Sequence, residues 1–187
     1  QRQMCIRDRS YTRAPAGVRP LMNPDPFPGF LMGFNPCKPT SVGNLQICSN
    51  DPMLPPKIHS NYLDTEYDKK MMIEGIQLIR RIANAPALNS IIKDELAPGN
   101  NIKSEADIAK YIRQKAWSVF HPCSTCRMGS DPNISVVDPK LRVYGVENLR
   151  IADASIFPTI PTGNINAPSI MVGEYASDII LLSLIHI

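Results

Sequence analysis

The chain has 187 residues, of which 43% are hydrophobic, so it can form a buried core and is one ordinary domain or a piece of a larger protein. Its formal net charge of +3 is too small to indicate nucleic acid or an anionic membrane surface as a partner, and no apolar run reaches the roughly 20 residues of a membrane helix. The five cysteines are an odd number without the spacing of a compact disulfide framework.

Both ends of the chain look foreign to the fold. Residues 1–15 are polar and basic, without the apolar stretch of a signal peptide, and residues 183–187 add an apolar tail after a predicted helix. We interpret residues 1–15 as a non-native or disordered flank and residues 183–187 as a non-native tail, with ordinary frayed ends as the alternative, and we expect the amino terminus of the intact protein to be missing.

The first half of the chain predicts extended segments. Residues 20–39 are rich in proline, glycine and apolar side chains, which predicts an irregular segment that covers a surface. Residues 42–48 predict a strand with Leu45 and Ile47 on one face, and residues 58–63 predict a second short extended segment.

The middle of the chain predicts two helices. Apolar side chains recur at three-or-four spacing from about residue 64 to residue 84, and Pro86 ends the pattern. Ser104 with Asp107 predicts a capped start for a second helix that runs to about residue 117.

The last third predicts short strands and a final helix. Residues 141–146 and 149–152 read as strands around a glycine turn. A helix is predicted over 169–182, with these side chains directed inward: Ile170, Ala176, Ile179 and Ile180.

The stretch that most favours catalysis begins at His121 and reads His-Pro-Cys-Ser-Thr-Cys-Arg-Met-Gly. Histidine exchanges protons near neutral pH, and the small residues around it let backbone approach a ligand closely. A structural histidine that is simply satisfied by hydrogen bonds explains this segment equally well.

The cysteines in this stretch admit two other interpretations. Cys123 and Cys126 could form a redox pair, although the strand-to-helix turn expected for one is not predicted here. Together with His121 they could also bind zinc, but no fourth Cys or His ligand stands nearby, and His59 lacks the following glutamate of a deaminase signature. We therefore predict no metal ligand.

Two further stretches place polar residues where ligands often bind. Asp153 and Ala154 follow an apolar strand, and a plain turn with Asp153 as a local cap is the alternative to a ligand contact. Asn164 and Asn166 precede the last helix, where amide groups suit an electron-rich ring edge or simply cap the helix.

The order and spacing of these stretches resemble the carboxyl-terminal region of the glucose–methanol–choline (GMC) oxidoreductases. The resemblance includes the His121 stretch, Val-Val-Asp-Pro at 136–139, the segment 149–158 and Gly-Asn-Ile-Asn-Ala-Pro at 163–168. Upstream, residues 38–41, 49–52 and 55–58 resemble strands of the family's substrate domain. The likeness covers roughly residues 20–182.

The resemblance implies FAD as cofactor and a small-molecule alcohol as substrate, which is oxidised to an aldehyde or ketone. His121 is then the proton-accepting base, and Asn164 is its partner on the facing loop. The implied cofactor contacts are Asp153, Ala154, Asn164, Asn166, Ala167 and Pro168. Since His121 and Asn164 would share one hydroxyl, their side chains are expected within roughly 5–7 Å of each other.

The resemblance also implies an α+β fold. Antiparallel substrate-domain strands with flanking helices would occupy residues 16–120, and a catalytic, FAD-contacting segment would occupy residues 121–182. Within it, residues 141–182 would close an FAD-binding α/β domain.

The chain departs from the family in two ways. Ser124 stands where the family usually has glycine, and none of the ten glycines lies in the dinucleotide fingerprint G-x-G-x-x-G. We therefore expect a fragment that holds FAD poorly alone; an inactive fragment or a non-catalytic binding module is the alternative function.

Overall fold

The computed structural model describes residues 2–7, as backbone only, and residues 28–184, with side chains to residue 182. Residues 1, 8–15 and 185–187 of the predicted flanks, and residues 20–27 of the predicted surface segment, lie outside this description. The elements in chain order are β1 Arg2–Arg7, β2 Leu31–Pro36, β3 Asn44–Gln46, β4 Lys57–His59, α1 Glu66–Ala83, α2 Pro86–Asn89, α3 Glu105–Lys115, a 3₁₀ turn Ala154–Ile156, and α4 Asn166–Leu184. Both sheets are antiparallel pairs, so the mixture of helices with small antiparallel sheets agrees with the expected class.

The chain divides into two compact units. The first contains β1 with residues 28–36 and 69–115, and the second contains residues 37–68 and 116–184. The proposed boundary between a substrate portion at 16–120 and a catalytic portion at 121–182 stays a prediction.

The first unit contains a strand that the sequence pattern did not predict. β2 pairs with β1 in an antiparallel register from Arg2–Pro36 to Arg7–Leu31. Prolines and glycines around 20–39 suggested irregular backbone, but pairing with a distant strand determined the conformation. Within the same unit the Phe34 ring lies directly over Gly75 of α1, where a Cβ atom would overlap it.

The two long predicted helices are confirmed. α1 carries acidic residues in its first turn and basic residues in its last, which favours the helix dipole at both ends. At the start of α3 the Ser104 hydroxyl accepts a hydrogen bond from the Asp107 amide at 3.1 Å and donates to its carboxylate at 2.6 Å. Ile108 and Ile112 of α3 are buried, as the spacing predicted.

In the second unit, the predicted strands near 42–48 and 58–63 form a hairpin, β3–β4, that is shorter than predicted. Its three residue pairs run from Asn44–His59 to Gln46–Lys57. Leu45 and Ile47 are 48% and 85% exposed, so this hairpin does not bury its apolar side chains within the described chain.

The core of the second unit comes from loops and α4. Its buried members are Val137, Leu141, Ile156, Phe157, Val172 and Ala176. The strands predicted at 141–146 and 149–152 are wrong in extent, because this region forms only isolated bridges, Val137–Val143 and Arg142–Arg150. Left-handed residues interrupt regular pairing: Leu141, Gly145 and Asn148.

The last predicted helix is confirmed, but the prediction of which of its side chains face inward was partly wrong. Val172 and Ala176 are buried, and Ile179 packs against the core, whereas Ile170 and Ile180 are 60% and 43% exposed. Apolar residues occur on every side of α4, so periodicity could not identify the buried face. Among the described residues, no helix is both long and apolar enough to cross a membrane.

A buried carboxylate fixes the start of α1 within the second unit. Asp68 is 2% exposed and accepts from the Thr40 and Ser41 amides at 2.8 and 2.9 Å and from both their hydroxyls. Ser41 Oγ also accepts from the Asp64 amide at 2.9 Å. Burial raises the Asp68 pKa, but hydrogen bonds from Ser41 and Thr40 outweigh it, so the pKa lies below its ordinary value of 3.8.

We expect Asp68→Asn to lower the free energy of unfolding of the intact protein by about 2 kcal/mol, because an amide cannot accept at both ends of the group. The lowered folded-state pKa means that this stabilisation is present above the ordinary value and is lost as pH falls through the folded value. Urea unfolding of both proteins between about pH 7 and pH 3 measures the difference.

The matched control is Asp94→Asn, which removes an exposed carboxylate. It should change stability by less than about 0.5 kcal/mol at every pH. A stability difference for Asp68→Asn that stays constant into acid would contradict the prediction.

Candidate active site

Backbone hydrogen bonds join the His121 stretch to the Asp153 stretch. Alternate amides of residues 124–128 donate to successive carbonyls of the 3₁₀ turn: Ser124 to Ala154 at 3.4 Å, Cys126 to Ser155 at 2.9 Å and Met128 to Ile156 at 2.8 Å. Two segments that are about 30 positions apart in sequence therefore run side by side.

The third predicted stretch meets the same core. Side chains from all three stretches pack against the buried cluster, among them Cys123, Met128, Ala154 and Ile165. Val172 and Ala176 of α4 form part of that cluster. The structure thus brings together the three segments that the sequence singled out.

His121 lies in the loop after α3, two residues before Cys123, and is half-buried. Its neighbour Phe120 and nearby Trp117 are 75% and 73% exposed. Asn164 is exposed and lies one residue before Ile165. Both predicted catalytic residues therefore flank side chains of one core, and their 5–7 Å approach stays a prediction.

Asp153 acts as the local cap that the sequence allowed. Its Oδ1 accepts from the Ser155 amide at 2.7 Å and starts the 3₁₀ turn. Asp153 is exposed, and the next residue, Ala154, is half-buried and accepts the backbone hydrogen bond from Ser124.

The start of α4 has the chemistry that a polar cofactor edge requires. Asn164, Asn166 and Ala167 are exposed, the first turn carries no acidic residue, and the space where a Gly163 Cβ would point is open. Pro168 is half-buried in the first turn. Exposed amides beside a helix start can donate and accept hydrogen bonds, so these residues fit a flavin, whereas the chain lacks the glycine fingerprint for its pyrophosphate.

Ser124 adopts the backbone conformation that glycine favours. Its φ of +72° lies in the left-handed region, and its hydroxyl donates to Cys123 Sγ at 3.3 Å. This agrees with a tight turn at the position where glycine was expected.

Sequence reasoning missed the role of Asp138. This buried carboxylate accepts from the Lys140 and Arg142 amides at 2.8 and 2.9 Å and from Arg142 Nε at 2.8 Å. Burial raises its pKa, but the Arg142 and Lys140 hydrogen bonds and the Arg142 charge hold it below the ordinary value. The Asp-Pro pair at 138–139 is a turn signal that could have revealed it.

The His121 stretch also contains the two cysteines for which zinc and redox interpretations were considered. In the described parts of the chain, no three His, Cys, Asp or Glu side chains group as they would around a metal ion. Cys123 and Cys126 are both free thiols and half-buried.

A family model described as GMC oxidoreductase matches residues 39–173. The oxygen-dependent choline dehydrogenase of Vibrio vulnificus is 43% identical over 82% of the chain and 28% of that protein. The mitochondrial choline dehydrogenase of Homo sapiens is 48% identical over 78% of the chain and 25% of that protein. A solved formate oxidase from Aspergillus oryzae, described for the effect of a mutation on FAD modification, matches with TM-score 0.81 and 28% identity over 86% of the chain and 28% of its own. The chain therefore spans about a quarter of the length of these relatives.

We expect Ser124→Gly to be more stable than Ser124→Ala by about 1 kcal/mol, because alanine keeps the Cβ atom that the left-handed conformation disfavours. Both changes remove the same hydroxyl, so the difference in stability between the two variants reports the cost of a Cβ atom in the left-handed conformation. Thermal or urea unfolding of the intact protein checks it, and equal stability of the two variants would mean that the turn carries no such strain.

Proposed function

The chain belongs to the GMC oxidoreductase family, and we propose that it is the carboxyl-terminal portion of an FAD-dependent enzyme that oxidises a small-molecule alcohol to an aldehyde or ketone. The observation that carries the proposal is the backbone ladder between residues 124–128 and 154–156. The ladder joins the His121 and Asp153 stretches, and Ile165 of the Asn164 stretch packs against the same core, which supports one site built from all three stretches. The matched choline dehydrogenases support an alcohol substrate, and the formate oxidase, described for FAD modification, supports FAD as the cofactor.

The chain would contain parts of two domains of the intact protein. Residues 16–120 would contribute antiparallel strands and helices to the substrate domain, and residues 141–182 would close the FAD-binding domain. The match to a quarter of the relatives' length supports a longer protein that supplies the remaining cofactor contacts.

FAD, when bound, supplies the acceptor for the hydride that leaves the alcohol carbon. His121 would accept the hydroxyl proton at an imidazole nitrogen, since histidine can exchange a proton near neutral pH. Asn164 would hold the hydroxyl oxygen through its amide, which fixes the geometry but removes no proton. The half-burial of His121 and the exposure of Asn164 beside one core support these roles.

The cofactor contacts would come from the Asp153 stretch and from the start of α4. Asp153 and Ala154 would face the ribityl–pyrophosphate part, with the Asp153 cap holding the turn in place. Asn166, Ala167 and Pro168 would lie near the ring system at the start of α4. The exposure of Asn166 and Ala167 and the small side chain of Ala167 support close approach of a planar group.

In the intact enzyme we expect His121→Ala to slow flavin reduction by about 10²–10⁴-fold, because it removes the proton acceptor. Asn164→Ala should cost less, since it removes positioning alone, and Cys123→Ser and Cys126→Ser should be milder still. Stopped-flow measurement of flavin absorbance after mixing with alcohol gives the ordering.

Flavin content of each purified variant is the control, and it should equal that of the unchanged protein. If both cysteine variants abolish reduction while His121→Ala leaves it intact, the redox or metal interpretation replaces this proposal. Stoichiometric zinc by elemental analysis would point to the metal.

A structure of the intact protein with FAD provides a separate check on geometry. The side chains of His121 and Asn164 should approach within roughly 5–7 Å and face one cavity. Side chains that point to opposite faces would remove the catalytic pairing.

A further inference from the structure

Tyr62, in the turn between β4 and α1, reaches the segment that leads into His121. Its hydroxyl donates to Ser118 Oγ at 3.2 Å, across 56 positions of sequence. The same Ser118 oxygen accepts from the Phe120 amide at 3.0 Å. One serine hydroxyl therefore connects the Tyr62 turn to the residue directly before His121, within the second unit.

The backbone on both sides of this contact is held in an uncommon conformation. Leu63 and Phe120 each have φ of +61°, and Asn61 has φ of +50°. Leucine and phenylalanine rarely adopt the left-handed region, so the surrounding structure must impose it. Such residues concentrate at functional sites, where the strain serves a fixed geometry.

The Tyr62 turn rests on the β3–β4 hairpin. Asn61 Nδ2 donates to the Val42 carbonyl at 3.1 Å. At Gly43 a Cβ atom would overlap the backbone carbonyls of His59 and Ser60, so the two ends of the hairpin lie in direct contact. The neighbouring Ser41 is bonded to Asp68 at the start of α1. The turn that carries Tyr62 is therefore held by contacts with the β3–β4 hairpin on one side and with the start of α1 on the other.

We propose that Tyr62 is a positioning residue for the proposed reaction: through Ser118 it fixes residues 118–120, and thereby sets where the His121 imidazole lies. The inference rests on the proposed function of His121. It deepens that proposal because a base misplaced by about 1 Å can lose roughly 100-fold in rate.

The exposure of this contact separates positioning from stability. The Tyr62 side chain is 67% exposed, so its hydroxyl is largely hydrated in the folded chain as well as in the unfolded chain, and the bond adds little to folding. Removal of the hydroxyl should therefore leave the unfolding temperature nearly unchanged and act on the local backbone.

The test uses the full-length holoenzyme with Tyr62→Phe, Ser118→Ala and the double variant. Tyr62→Phe should slow flavin reduction at saturating alcohol by roughly 10-fold, with the alcohol dissociation constant changed by less than about twofold. Hydrogen–deuterium exchange of a peptide covering residues 117–121 should become faster. Because both residues act in one network, the double variant should resemble Ser118→Ala alone.

Two further variants show that the hydroxyl contact matters. Ser118→Thr keeps the hydroxyl, so the rate and the exchange protection should stay close to those of the unchanged enzyme. Tyr67→Phe is the matched control, since it removes the hydroxyl of another exposed tyrosine in the same unit, one that is 51% exposed. It should leave reduction and the exchange of 117–121 unchanged.

The experiments distinguish a failure of the positioning role from a failure of the proposed function. If His121→Ala is impaired but Tyr62→Phe reduces flavin normally, the positioning role is wrong and the proposed function stands. Faster exchange with a normal rate, or a slower rate with unchanged exchange, also overturns the positioning role. If His121→Ala itself reduces flavin normally, the proposed base is wrong and this inference falls with it.

Discussion

The ladder between residues 124–128 and 154–156 is the constraint on which the candidate site depends. Three backbone amides that would otherwise need water find carbonyls on a distant segment, and the two stretches then present their side chains to one core. Backbone pairing of this kind is insensitive to side-chain identity. It can therefore hold a site whose residues are chosen for chemistry rather than for packing.

Buried carboxylates hold the irregular segments in place by accepting hydrogen bonds, as the backbone pairing of longer strands does in other folds. Asp68 accepts hydrogen bonds from the amides and hydroxyls of Thr40 and Ser41, and Asp138 accepts hydrogen bonds from the amides of Lys140 and Arg142. Each satisfies several donors in a stretch with little regular structure, and those donors hold its pKa below the ordinary value despite burial. The irregular segments of the second unit are thus specified by particular residues rather than by a repeated ladder.

The hairpin β3–β4 and the segment before His121 share a property that relates structure to the proposed function. Ile47, Trp117 and Phe120 are among the most exposed large apolar residues of the described chain. Exposed apolar surface near a candidate site is usual where a ligand or further protein covers it. The chain spans about a quarter of the length of the relatives it matches.

The sequence by itself determined the features that depend on local spacing and on residue chemistry. The period of α1, the Ser104 cap of α3 and the family resemblance of the three polar stretches could all be read directly, because each involves residues close together in the chain. Only the tertiary structure decided which face of α4 is buried, that β2 pairs with β1, and that Tyr62 reaches Ser118. Those outcomes depend on contacts between distant segments, and neither propensity nor period in a single sequence carries that information.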